Sequence, residues 1–155
     1  MSASRAEARQ THYGFYMAIK QLAILFFLSI APEVLKAQLV LVVEGLKNTN
    51  GNVMVGLFDN EKDFLKKAVL GKVAPIEGES VTLVLSDVKP GKYAISIIHD
   101  ANGNGKLDTN ALGLPKEGFG FGNNAMGVFG PPSFSKASIT VGRERVTQTL
   151  QMKYF

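Results

Sequence analysis

The chain is predicted to be all-β, folded as a sandwich of two sheets. Three observations carry that expectation. Short apolar or alternating runs fill the sequence after residue 37, and clusters of Gly, Asn, Asp and Pro separate them at intervals of roughly 8–12 residues. No long stretch repeats with helical spacing. The first run, residues 38–46, is rich in Val and Leu, and the second, 52–59, follows Asn48-Thr49-Asn50-Gly51. Asn-Gly signals a hairpin, because both central residues of the tightest hairpin turn take positive φ. Residues 61–67 fit one or two helical turns capped by Asn60, ahead of a run at 69–76. In 80–87, Val81, Leu83 and Leu85 share one face by the two-residue period. A Pro90-Gly91 turn leads into 92–100, where Tyr93, Ile95 and Ile97 alternate with Ala94, Ser96 and Ile98. Runs at 135–141 and 145–154 read as a pair joined at Gly142, with Val146, Leu150 and Met152 on one side and Gln148 interrupting them. That makes about seven strands. Leu83, Leu85, Tyr93, Ile95, Ile97 and Val141 are expected in the core between the sheets.

Residues 1–37 read differently. After Met17 come a basic Lys20, an apolar run at 22–30, and a short segment through Pro32 and Glu33 to Ala37, the layout of a secretory signal. Cleavage after Ala37 leaves Gln38 first. The apolar run is far shorter than the roughly 20 residues that cross a bilayer, so no stable membrane anchor is expected. Residues 1–16 lack periodicity and Met17 restarts a tidy signal, so 1–37 is expected to be an upstream extension plus a removed signal peptide. Residues 38–155 are then a single domain, periplasmic or secreted. Without Arg5, Arg9, Lys20, Lys36, Glu7 and Glu33 the chain keeps 13 basic and 11 acidic residues, a balance of +2. So small an excess, with both signs interspersed, points away from a nucleic-acid partner. The chain has no cysteine, which excludes disulfides, thiolate metal sites, a cysteine nucleophile and a lipoprotein anchor.

The most specific chemical feature is Asp100-Ala101-Asn102-Gly103-Asn104-Gly105-Lys106-Leu107-Asp108. Oxygen-bearing side chains stand at relative positions one, three, five and nine, a calcium-loop spacing. Calcium takes about six to eight oxygens, and alternate residues of a tight loop can aim carboxylate or amide oxygens at one centre. Gly105 stands where such loops turn sharply, Lys106 offers its backbone carbonyl, and Leu107 would anchor the loop to a core. The expected metal ligands are Asp100, Asn102, Asn104, Lys106 and Asp108, with calcium as a structural ion bound weakly by two carboxylates. Ala111 stands where an EF-hand has its bidentate Glu, so an EF-hand is not expected; Glu117, Asn123 and Asn124 are candidates to complete the shell. The competing reading is a set of consecutive turns, with Asp100 and Asp108 capping backbone amides.

Between residues 102 and 134 the Gly-, Asn- and Pro-rich chain is too long for a simple connection, and such loops are functional or carry structure of their own. Phe119, Phe121, Phe129 and Phe134 there, with Asn123 and Asn124, could serve a carbohydrate or peptide ligand, rings giving apolar contact and amides orientation. On that alternative the ligand-binding residues are Phe119, Phe121, Asn123 and Asn124. The favoured reading is that the rings fold back as a lid on the core. His99 is the one histidine after residue 37, so a multi-histidine metal site is excluded, and a lone His beside Asp100 is expected to be packed rather than catalytic. No Gly-x-Ser-x-Gly occurs, and Gly-Phe-Gly-Phe-Gly at 118–122 lacks the Lys-Ser/Thr ending of a phosphate loop. The protein is not expected to be an enzyme.

Gly51-Asn52-Val53, Val55-Gly56-Leu57-Phe58, Pro90-Gly91-Lys92-Tyr93-Ala94-Ile95, the block from His99 to Asp108, Gly113-Leu114-Pro115-Lys116-Glu117-Gly118-Phe119-Gly120-Phe121, Asn123-Asn124-Ala125 and Gly130-Pro131-Pro132 form one pattern. On these residues the chain resembles the bacterial exported family termed domain of unknown function 2141. The resemblance implies a small immunoglobulin- or prealbumin-like sandwich. It implies no established activity, and no catalytic residue is carried over.

Overall fold

The computed structural model describes residues 38–155, so the leader and extension expected over residues 1–37 lie outside the described residues. The strands are β1 (Leu39–Glu44), β2 (Asn52–Phe58), β3 (Leu70–Pro75), β4 (Ser80–Leu85), β5 (Gly91–Asp100), β6 (Gly118–Phe121), β7 (Ser138–Val141) and β8 (Val146–Gln151), with one 3-10 turn at Gly122–Asn124. β4, β1 and β8 form a three-stranded sheet, and β3, β2, β5, β6 and β7 form a five-stranded one. β6 and β7 lie end to end on one edge of β5, β7 beside residues 91–94 and β6 beside 96–99. The all-β, two-sheet expectation holds.

The period-two pattern does what apolar burial requires. Leu39, Leu41, Val43, Val53, Val55, Leu57, Leu83, Leu85, Ile95, Ile97, Val141 and Leu150 are buried in one cluster between the sheets. Each such side chain contributes about 1.5–3 kcal/mol when withdrawn from water. Of the six expected core residues only Tyr93 is half-buried; it packs against the cluster while its hydroxyl donates to the Lys89 carbonyl at 3.0 Å. Asn60 caps the expected turns, its Oδ1 accepting the Asp63 amide at 3.0 Å.

Strand partners differ from expectation in two places. The Asn50-Gly51 turn closes no hairpin, since β1 and β2 belong to different sheets. Only Gly51, at φ 70, is in the positive region there, so the two-residue hairpin turn is not formed, and a Cβ at Gly51 would collide with the Asp100 carbonyl. Nor do β7 and β8 pair across Gly142. β7 joins β5, while β8 takes the free edge of β1 in parallel, with Leu39, Leu41 and Val43 beside Val146, Gln148 and Leu150.

β6 lies inside the stretch read as a long loop. Gly118 and Gly120 face the interior, where a Cβ would come within 2.6 Å of the Tyr154 ring and 2.8 Å of the Gln151 carbonyl. Glycine here permits close approach of two backbones rather than a turn. The sheets meet at this point, as Phe119 and Lys153 exchange amide-to-carbonyl bonds of 2.9 and 2.8 Å. At the opposite side Lys72 Nζ donates to the Val84 carbonyl at 2.6 Å, linking edge strands β3 and β4.

Candidate metal centre

The end of β5 sets the site by strand alternation. His99 pairs with Val53 and turns inward, while Asp100 pairs with Asn52 and turns outward. Asp100 is buried, and it organises the loop that follows. Its Oδ1 accepts the Asn104 amide at 3.0 Å and its Oδ2 the Gly105 amide at 2.8 Å. Asn102 Oδ1 also accepts the Asn104 amide at 3.0 Å, and Asn104 Oδ1 accepts the Lys106 amide at 3.1 Å, so two Asx turns overlap. Gly103 and Gly105, at φ 73 and 77, supply the left-handed steps between them.

The side-chain amides converge on Asp108. Asn102 Nδ2 donates to Asp108 Oδ2 at 2.7 Å and Asn104 Nδ2 to the same oxygen at 2.8 Å, while Lys106 Nζ stands 3.8 Å from Oδ1. The Asn102 bond holds the Asp108 carboxyl below its ordinary value of 3.8, helped by Asn104 and the charges of Lys106 and Lys116 and opposed by partial burial. The base of the loop is closed by buried Glu117, whose Oε1 accepts the Ala101 amide and Oε2 the Asp108 amide, each at 3.0 Å. A small hairpin returns the chain to that position: Asn110 Oδ1 accepts the Leu112 and Leu114 amides, and Lys116 N–H bonds the Asp108 carbonyl at 2.8 Å. Leu107 packs against the cluster of Phe58, Phe119 and Phe121, the anchoring expected of it.

The loop thus brings together Asp100, Asn102, Asn104, Lys106 and Asp108, and of the three candidates to complete a shell it adds Glu117, as a backbone acceptor. Among the described residues no group of three or more His, Cys, Asp or Glu is arranged to hold a metal ion. An ion here would rest on two Asp carboxylates, two amide oxygens and the Lys106 carbonyl. Each amide oxygen keeps a lone pair beyond its Asx-turn bond. This all-oxygen donor set fits calcium chemically, at low total charge.

Asn123 and Asn124 lie elsewhere, both at positive φ. Asn123 Nδ2 donates to the Ser138 carbonyl at 2.8 Å and the Lys136 carbonyl at 3.1 Å, and its Oδ1 accepts Gln148 Nε2 at 2.9 Å. Gln148 Oε1 is buried without a partner among the described residues. Asn124 Oδ1 accepts the Gln151 amide at 2.7 Å and its Nδ2 reaches the Thr149 carbonyl, so it covers the open edge of β8. Phe119 and Phe121 are buried on the outer face of the five-stranded sheet, where Phe64 packs edge-on to Phe58, Phe121 and Phe134. The rings therefore form a second apolar layer, opposite the core that a lid would have covered. Only Phe129, of the four phenylalanines in that stretch, is fully exposed.

His99 is enclosed at 1 % exposure. Its Nε2 lies 2.8 Å from the Asn50 carbonyl, which can only accept, so Nε2 carries the proton and Nδ1 accepts the Tyr154 hydroxyl at 2.6 Å. The Tyr154 oxygen accepts the Lys47 amide at 3.1 Å, and Lys47 Nζ stands 4.4 Å over its ring. Burial raises the Tyr154 phenol above 10.0, with the Lys47 amide pulling the other way.

No curated protein and no solved structure matches the chain. A family model described as an uncharacterized protein conserved in bacteria, DUF2141, matches residues 41–149, from within β1 to within β8. The loop at residues 100–108, the glycine-aromatic strand and the Asn123–Gln148 contact all fall inside that span, and the chain belongs to this bacterial family, domain of unknown function 2141.

Proposed function

We propose that this protein is an exported, non-catalytic β-sandwich module whose loop at residues 100–108 takes up calcium as a structural ion. The observation that carries the reading is that one short loop, wound around the buried Asp100 carboxylate, gathers the side chains of Asn102, Asn104 and Asp108, all of which bear oxygens. Two amide N–H groups, from Asn102 and Asn104, offset the Asp108 charge. A cation on the amide oxygens and the carboxylates would replace them. The non-catalytic reading is supported by His99, whose two ring nitrogens are both engaged and so leave no lone pair for a substrate proton. Export rests on the leader pattern of the sequence, and N-terminal mass analysis beginning at Gln38 would support it.

Thermal melting with and without calcium tests the ion. A ligand that binds only the folded state stabilises it by about 2.7 kcal/mol at a hundred times Kd. Calcium is expected to raise Tm and chelator to lower it, with magnesium much weaker because it holds its waters in strict octahedral geometry. Asp100→Ala is expected to abolish the calcium response, Asp108→Ala to weaken it, and Lys106→Ala to leave it nearly unchanged, since only its carbonyl takes part. A melting curve unmoved by calcium up to about several millimolar, the range of weak extracellular modules, overturns the proposal in favour of hydrogen-bonded turns alone.

A further inference from the structure

We infer that Asn102-Gly103 is a site of spontaneous deamidation, selected by the fold from the chain's three Asn-Gly bonds, Asn50-Gly51, Asn102-Gly103 and Asn104-Gly105. In this reaction the glycine backbone nitrogen, losing its proton to solvent, attacks the asparagine Cγ. A C–N bond forms, the amide C–N bond breaks, and ammonia leaves with a proton from solvent. Water then opens the cyclic imide at one of its two carbonyls, giving aspartate or isoaspartate. The net change is one amide plus one water to one carboxylic acid plus one ammonia, with no oxidant or cofactor.

Glycine is the least hindered nucleophile, but the attack also requires the Asn-Gly peptide unit to rotate. At Asn50 the unit is pinned. Its carbonyl accepts buried His99 Nε2 at 2.8 Å, and Gly51 is wedged against the Asp100 carbonyl. At Asn104 the attacking nitrogen is itself held, because Gly105 N–H donates to the Asp100 carboxylate at 2.8 Å, a charge-assisted bond that opposes loss of the proton. At Asn102 neither the Asn102 carbonyl nor the Gly103 amide has a hydrogen bond among the described residues, and a Cβ on Gly103 would meet nothing within 4 Å. The Asn102 and Asn104 side chains are tethered alike, each oxygen in an Asx turn and each nitrogen on Asp108. The difference between them is the freedom of the peptide unit.

The product places a carboxylate oxygen where Asn102 Nδ2 now donates to Asp108 Oδ2 at 2.7 Å. One hydrogen bond becomes a repulsion, and the loop gains a third carboxylate. An ion-free loop is loosened by this change, and a divalent cation becomes the natural partner of the pair. That second consequence rests on the proposed calcium reading; the site of conversion does not.

The test is to incubate the purified protein in warm, mildly alkaline buffer, folded and in denaturant, and to follow each asparagine by peptide mass spectrometry with enzymatic isoaspartate detection. Conversion is expected to be at least several-fold faster at Asn102 than at Asn50 or Asn104 in the folded protein, with the preference lost in denaturant. Equal or faster conversion at Asn50 or Asn104 in the folded protein, or a preference that persists in denaturant, overturns the inference. Asn102→Asp gives the second readout. It is expected to lower Tm without calcium and to bind calcium at least several-fold more tightly than the native chain. If the variant ignores calcium while the folded protein still converts first at Asn102, the calcium reading fails and the modification site stands.

Discussion

The two faces of β5 are held by different physics. Inward, Tyr93, Ile95 and Ile97 join aliphatic side chains from both sheets, where attraction has no direction and scales with area removed from water. Outward, Asp100 is satisfied by two backbone amides, and the neighbouring surface is covered by phenylalanine rings packed edge-on at 5.4 to 6.4 Å. Aromatic pairs and charged hydrogen bonds depend on angle as well as distance. The inner face therefore supplies bulk stability. The outer face supplies a defined local geometry, which can change at one end of the strand while the core stays as it is.

The strongest way to break this contrast is to cut the inner face. Ile97→Ala should cost about 2–5 kcal/mol in urea or thermal unfolding, by lost transfer energy and a cavity, and the loss should be the same with or without calcium. Glu117→Ala comes next, at roughly 1.5–3 kcal/mol, because two amides lose a charged acceptor. Amide exchange should show Ala101 and Asp108 deprotected while the Ile95 and Ile97 amides stay slow; uniform deprotection would show that the faces are not independent. Tyr154→Phe should cost about 1–3 kcal/mol by leaving buried His99 Nδ1 without its donor. It should also remove one alkaline limb of the stability curve. A phenol raised above 10.0 contributes stability fully present below that pH and lost as pH rises through the folded-state value.

The smallest expected effect is in acid. Asp108, held below 3.8, contributes stability present above that pH and lost as pH falls through its folded-state value. Carboxyl NMR titration of Asn102→Ala should show the Asp108 midpoint rising toward 3.8, since that amide is its main cause of lowering. An unchanged midpoint would break the link between the two residues.

The strands of the inner core were legible because alternation repeats within each one, as at Val81, Leu83 and Leu85. Their partners were not. Pairing β1 with β8 depends on which sheet edge remains free, and no residue of either strand records that. β6 was hidden for another reason: Gly118 and Gly120 lie in the Gly-, Asn- and Pro-rich stretch that reads as a long loop, whereas they admit the Tyr154 ring and the Gln151 backbone. The loop at 100–108 was visible as a local spacing. Glu117 entered only as a remote candidate, because the small hairpin turned by Asn110 is what brings it back to the loop's base. The Asn123 and Asn124 amides looked free in the sequence and are spent on carbonyls and amides of β7, β8 and the chain before β7.

The parallel pairing of β1 with β8 bears on the order of events during folding. β1 is the middle strand of its sheet, yet one of its two neighbours lies far along the chain, and contacts such as Glu44 with Gln151 span 107 positions. Closing so long an intervening chain carries an entropic cost before any pairing rewards it, and topologies rich in such distant contacts fold slowly. Until residues 146–151 have been made, β1 has β4 but not β8 to pair with, and one edge of an apolar strand stays open to neighbours. Completion of the three-stranded sheet, the Phe119–Lys153 exchange and the His99–Tyr154 bond all wait for residues 146–154, so a chain stalled before Val146 should be markedly more prone to aggregate than one that has passed Tyr154.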